Sequence, residues 1–153
     1  MLIKYPLVFS FDEKKICIHR RVLRRWKKSR QLAKKDTEKF GVLIGKKHEE
    51  NIYIDFVTQP YNQDESTRYS FKLKDNKHQK IVSRAFERTQ GKLGYVGTWH
   101  THPEDYPTPS NIDRKDWERC IKRNQDRNLF FFIVGRKDIY LFYRKHNQFI
   151  RSS

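Results

Sequence analysis

The chain has 153 residues and a formal net charge of +16, with 36% hydrophobic and 14% aromatic residues. That length suits one compact domain, read as residues 1–153, and eleven Phe and eight Tyr offer too much buriable area for a disordered chain. Two distant cysteines, Cys17 and Cys120, argue against a disulfide scaffold and a cysteine-built zinc site, and no apolar run approaches the roughly 18 residues of a membrane span.

The N-terminal stretch Met1, Leu2, Ile3, Lys4, Tyr5 and Pro6 is too short in apolar length for a signal peptide, so a soluble, cytoplasmic protein is expected. Leu7–Phe11 and Ile16–Ile18 are β-prone. A basic helix is expected from Arg20 to Lys35, with Val22, Trp26 and Ala33 forming an apolar stripe beside Leu23 and Leu32. Its cations, among them Arg20, Arg21, Arg24, Arg25, Lys27 and Lys28, imply an acidic partner: nucleic acid, an anionic surface or an acidic protein. Phe40–Gly45 and Ile52–Val57 read as a hairpin across the polar turn 46–51. Residues 58–75 are irregular, with one short strand candidate at Tyr69–Leu73.

A second helix is expected over Lys77–Thr89, with Ile81, Val82, Ala85 and Phe86 on one face and Gly91 past its end. Tyr95–His100 reads as a strand. A third helix begins near Ser110 and carries Trp117, Cys120, Ile121 and Asn124 on one side. Leu129–Val134 is a continuous apolar run suited to a central strand, and Ile139–Tyr143 follows it. The order β-β-α-β-β-(β)-α-β-α-β-β predicts a mixed α/β (α+β) fold, one central sheet packed with helices.

The chemistry concentrates in "GTWHTHPEDYPTPSNID", residues 97–113. Strand side chains alternate, so His100 and His102 share a face while Trp99 and Thr101 point the other way. Pro103, Pro107 and Pro109 end the strand and stiffen the turn. Ser110 and Asp113, three apart at a helix start, fit a capping box. The same turn can bring Asp113 over the histidine face. Two imidazoles and a carboxylate with a fourth position open form the pattern of a catalytic zinc site. Hydrolysis also needs a proton-carrying carboxylate that is not a ligand. Spacing alone does not select it; Glu38 is attractive because it opens a strand whose Gly41 and Gly45 permit close backbone approach.

His100-Thr101-His102, seven residues, Ser110, two residues and Asp113 resemble the JAMM signature of the JAB/MPN metalloproteases, and "EKFGVLIG" resembles the segment bearing that family's catalytic glutamate. The resemblance covers about residues 20 to 145. It implies a cytidine-deaminase-like JAB/MPN fold, one catalytic Zn2+ on His100, His102 and Asp113, Glu38 as general acid/base, and Ser110 as oxyanion donor. Phe40 stands where the family has its first glycine, which places a bulky side chain near the implied substrate groove.

Within the family, "GTWHTHPEDYPTPS" and the basic helix look most like the bacterial JAB peptidases of CBASS antiphage systems. That resemblance implies an isopeptidase that cuts after the C-terminus of a cyclic-nucleotide synthase (CD-NTase) conjugated to a target. Its protein substrate would lay an extended C-terminal tail in a groove and present an acidic surface to the helix. Alternatives are a JAB peptidase that processes a sulfur carrier or other ubiquitin-like protein, and a module of the RadC DNA-repair type, for which nucleic acid would be the partner.

Overall fold

The computed structural model describes residues 3–152. Met1 and Leu2, part of the stretch read against a leader, and Ser153, the last residue of the expected domain span, lie outside the described residues. Along the chain run β1 (Leu7–Phe11), β2 (Lys14–Ile18), α1 (Arg20–Ser29), β3 (Phe40–His48), β4 (Asn51–Val57), β5 (Glu65–Ser66) and β6 (Phe71–Lys72). Then come α2 (Lys77–Arg88), β7 (Gly94–Thr101), α3 (Asn111–Arg123), β8 (Phe130–Val134), β9 (Ile139–Lys145) and β10 (Gln148–Arg151). This is the mixed α/β arrangement expected from the sequence. The main sheet has the order β1-β2-β4-β3-β7-β8-β9-β10, with β5 and β6 forming a separate two-stranded ribbon. Among the described residues only β2–β4 and β7–β8 pair in parallel. Parallel neighbours need a crossover, and α3 supplies the one between β7 and β8.

The sheet curls until its two ends meet. Phe9 and Phe11 of β1 stack edge-on against Phe132 and Phe130 of β8 at 5.3 and 5.0 Å, and the Ser152 hydroxyl donates to the Ser10 carbonyl at 2.6 Å. Alternation along the interior strand β8 then sorts the core. Phe130, Phe132 and Val134 pack with Trp99 and with Val22 and Trp26 of α1. Phe131 and Ile133 face the other way, onto Trp117 and Cys120 of α3, while Val42 and Ile44 of β3 receive Val82 of α2. Helix α1 therefore covers one face of the sheet, and α2 and α3 the other.

Several bounds differ from those expected. Helix α1 stops at Ser29, because Arg30 takes an extended ψ of 140° and Gln31 turns inward to 1% exposure. Leu32 and Ala33, read as part of its apolar stripe, are exposed. The strand expected at Tyr69–Leu73 shrinks to Phe71–Lys72, paired with β5, which had no apolar signal. Phe86 of α2 is 53% exposed, and the left-handed turn that ends the helix begins one residue before the expected Gly91: Gln90 takes a φ of 52°, and the Gly91 N–H closes the turn on the Phe86 carbonyl at 2.8 Å. Strand β10 was not anticipated; it follows a tight turn in which His146 and Asn147 both take positive φ. Phe40 does not project into open space. It is 1% exposed and stacks on Phe71 at 4.5 Å, flooring the β5–β6 ribbon.

Both glycines of the Glu38 segment are needed for close approach. A Cβ at Gly41 would stand 1.9 Å from the Thr58 carbonyl oxygen, and one at Gly45 2.6 Å from that of Tyr53. The Thr58 carbonyl is thereby free to accept the Trp99 indole N–H at 2.9 Å, which locks the aromatic side of β7 and leaves His100 on the opposite face.

Candidate metal centre

Four side chains converge where β7 leaves the sheet and α3 begins. Ligand atoms of Glu38, His100, His102 and Asp113 all lie within 4.8 Å of one another, and all four residues are buried. The approach comes from three elements. His100 is the penultimate residue of β7, paired with Phe40 of β3 and Ile133 of β8. His102 follows just past the strand, its N–H donating to the Val134 carbonyl at 3.1 Å, so the extended path and its alternation persist. Asp113 lies in the first turn of α3.

The turn between them is built against the connection from β8 to β9, residues 135–138. Arg136 N–H donates to the Glu104 carbonyl at 2.7 Å, the Lys137 and Asp138 N–H groups to that of Asp105, and the Arg136 guanidinium to the Asp105 carboxylate at 2.9 Å. Gly135 lies beneath with no room for a side chain: a Cβ there would stand 2.5 Å from Pro107 Cδ.

At the start of α3 the capping box and the carboxylate ligand geometry coexist. Ser110 Oγ accepts from the Asp113 N–H at 3.0 Å, and Asp113 Oδ2 accepts from the Ser110 N–H at 2.8 Å. The same carboxylate stands 3.2 Å from His100 Nε2 and 3.1 Å from His102 Nε2, and the two Nε2 atoms are 3.0 Å apart. Donors on a tetrahedron of 2.0–2.1 Å bonds to zinc would stand ~3.3 Å apart. The three donors thus fit that ion in chemistry and in spacing.

Electrostatics divides the cluster. Burial pushes the Glu38 carboxyl up to about 8, helped by the Asp113 charge and opposed by His102. Among the described residues neither Glu38 oxygen has a hydrogen-bond partner, although the residue is fully buried. Burial also works against an ionised Asp113, but hydrogen bonds from His100 and His102 and the Ser110 N–H outweigh it and hold that carboxyl far below the usual range. Burial lowers His100. For His102 burial acts in the same sense, yet Asp113 and Glu104 prevail and raise it.

Every residue singled out in the sequence sits in this region. Glu38, expected to open the strand, lies two residues before β3 and is fully buried. Ser110 is half-buried at the helix cap. Sequence reasoning missed Glu104, whose carboxylate holds His102 Nδ1 at 2.8 Å and fixes Nε2 toward the cluster; its position two residues past His102 was the available signal. It also missed Gln31, which looked like one more polar residue of a basic helix.

Beside the cluster runs an open groove of about 1020 Å³, walled by Phe71 and Leu73 of the ribbon segment, Val82 and Phe86 of α2, and Ile112 and Arg119 of α3. The basic face of α1 is elsewhere: Trp26 packs against Trp99, on the far side of the sheet from His100. No helix among the described residues is long and apolar enough to cross a membrane.

Comparison with known proteins identifies relatives of this chain. The family model described as prokaryotic homologs of the JAB domain matches residues 19–146. A CD-NTase/cGAS isopeptidase of Escherichia coli (strain TW11681) is 36% identical over 136 residues, which cover 88% of this chain and 86% of the relative. Proteins of the same description from Vibrio cholerae and Pseudomonas aeruginosa are 40% identical over 112 residues and 33% identical over 136. They cover 73% and 87% of this chain and 70% and 86% of the relatives. A solution structure of a Desulfitobacterium hafniense protein, 18% identical, superposes with a TM-score of 0.61 over 89% of this chain and 88% of that one, a likeness of fold. The chain belongs to the prokaryotic JAB family, in its CBASS-associated group, and is a hydrolase of the isopeptidase type.

Proposed function

We propose that this chain is a zinc-dependent isopeptidase that cuts the bond between the C-terminus of a CD-NTase and the amine to which it has been conjugated, working in the cytoplasm as the single domain 1–153. The observation that carries the chemistry is the convergence of Glu38, His100, His102 and Asp113; what favours the substrate is the description shared by the three relatives. In this reading His100, His102 and Asp113 hold the ion through Nε2, Nε2 and a carboxylate oxygen. Zinc held there would supply Lewis acidity, lowering the pKa of water and polarising the scissile carbonyl.

The remaining work falls to the chain. Glu38 takes a proton at its carboxylate and returns it to the leaving amine. Its burial beside the three donors, with neither oxygen hydrogen-bonded among the described residues, leaves the carboxylate free to accept a proton and give it back. The Ser110 hydroxyl accepts from the Asp113 N–H, so its own proton is free to be donated to the oxygen on which charge develops. Glu104 keeps His102 in one tautomer. The groove, at the upper end of small-molecule pocket volumes, fits an extended peptide tail. Among the described residues β6 pairs with β5 alone, which leaves an edge for a tail strand to join.

The test uses the purified protein, a zinc count, and a CD-NTase fused through its C-terminus to a reporter. Glu38→Ala keeps zinc and loses cleavage, whereas His102→Ala loses both. Full cleavage by Glu38→Ala would overturn the assignment of the proton carrier.

A further inference from the structure

Gln31 is a buried glutamine with every hydrogen-bonding group in use. It is 1% exposed, just past the end of α1. Its Oε1 accepts the Thr101 hydroxyl at 2.7 Å. Its Nε2 donates to the Asp36 carbonyl at 3.2 Å and to the Arg68 carbonyl at 3.0 Å. Those three partners belong to the three pieces that must stay in register around the cluster. Thr101 lies between His100 and His102. Asp36 is two residues before Glu38. Arg68 lies in the turn of the β5–β6 ribbon.

The surrounding bonds extend the same tie. Thr101 Oγ1 also accepts the Lys39 N–H at 2.9 Å, and the Thr101 N–H donates to the Lys39 carbonyl at 2.9 Å. The Glu38 N–H donates to the Thr67 carbonyl at 2.8 Å. Arg68 returns two bonds, to the Ala33 and Lys34 carbonyls at 3.1 and 2.8 Å. Among the described residues the Glu38 carboxylate has no hydrogen bond of its own to aim it. Its position is therefore set through the backbone of residues 36–39, and that backbone is hung from Gln31 and Thr101. An unmet donor or acceptor at such a depth is costly, so the network is occupied as a unit.

We infer that Gln31 is the positioning residue of this enzyme: it fixes the proton-carrying segment against the histidine strand and ties both to the ribbon that edges the groove. The inference rests on the proposed role of Glu38, and it deepens that role by naming what sets Glu38's place. Gln31 touches neither the histidines nor the carboxylates, so its loss leaves the three metal donors in position.

Two variants separate donation from volume. Gln31→Glu keeps the length and the acceptor for Thr101 but leaves at most one O–H, when protonated, in place of the two amide N–H donors. Gln31→Met keeps the volume and removes every polar contact. Each is expected to retain zinc, to lower kcat about tenfold or more, and to change KM by less than about threefold, since a buried network bond is lost without loss of the groove. Thr101→Val combined with Gln31→Met should cost little more than the worse single change, because the two residues act through one network. Amide hydrogen exchange on the full chain gives a readout that does not depend on turnover. The Glu38 and Lys39 amides should exchange about tenfold faster in either variant, with Phe131 and Ile133 of β8 unchanged. If the parent cleaves no CD-NTase fusion, the functional proposal fails while this exchange result still decides the inference. A folded Gln31→Glu or Gln31→Met protein with kcat within about twofold of the parent, or a uniform loss of protection that includes β8, overturns it.

Discussion

Replacing Gly135 by Ala tests whether the turn between His102 and Ser110 sets the spacing of the cluster. The added methyl carbon would stand 2.5 Å from Pro107 Cδ and 2.8 Å from the carbonyl oxygens of Glu104 and Asp105. Carbon atoms in contact rest at about 3.5–4.0 Å, so the turn must yield by ~1 Å. It is clasped by Arg136 from below and continues directly into Ser110 and Asp113, so the displacement passes to the start of α3. A misplacement of about 1 Å costs on the order of a hundredfold in rate. The strain itself should remove about 1–3 kcal/mol of stability, which a fold worth roughly 5–15 kcal/mol survives. The measurement is kcat on a CD-NTase fusion, beside thermal denaturation and a zinc count. Folded Gly135→Ala protein with zinc bound and kcat within about twofold of the parent would refute the reasoning.

Reversing Arg24, Arg25 and Lys28 to Glu should raise KM for the full conjugate but not for a short tail peptide, because α1 lies across the sheet from the groove; an unchanged KM for the conjugate removes the idea that α1 docks an acidic surface. Asp64 anchors the start of α2, accepting from the Tyr61, Lys74 and Asp75 N–H groups and from His78, which in turn meets Thr58 at 2.6 Å. Burial alone would raise its carboxyl, yet these bonds carry it below the ordinary 3.8. A depressed folded value means the contribution is complete above 3.8 and disappears as pH falls through the folded value. Asp64→Asn should therefore cost about 1–3 kcal/mol near neutral pH, and the difference from the parent should shrink on acidification below the ordinary 3.8; denaturant titrations giving the same difference at neutral pH and below 3.8 would contradict this.

Where pattern and burial coincide, the sequence carried the fold. Phe130–Val134 of the run expected as a central strand became β8, an interior strand beside β7, and Trp117 and Cys120 took the buried side of α3. The juxtaposition of His100, His102 and Asp113 was legible too, because strand alternation and a proline-stiffened turn leave few paths between them. What escaped was decided by contacts distant in sequence. Leu32 and Ala33 continue the helical period of α1, but Gln31 finds Thr101, seventy positions on, and the chain turns away. Phe40 looked like an obstruction until Phe71 lay on it. Glu38 could not be told from other acidic residues by spacing, since its depth comes from β3, β7 and the ribbon closing around it. The two-residue strands β5 and β6 offer no periodicity to read.

The curled sheet is also a partition. The aromatic layer from Trp26 through Trp99 and Phe132 stands between the cation-rich helix and the cluster on the other side, so the two turn their side chains toward different partners. A lineage can rewrite its outward electrostatic signature residue by residue without retuning its chemistry. Diversity among descendants should accumulate on one side while the other stays fixed.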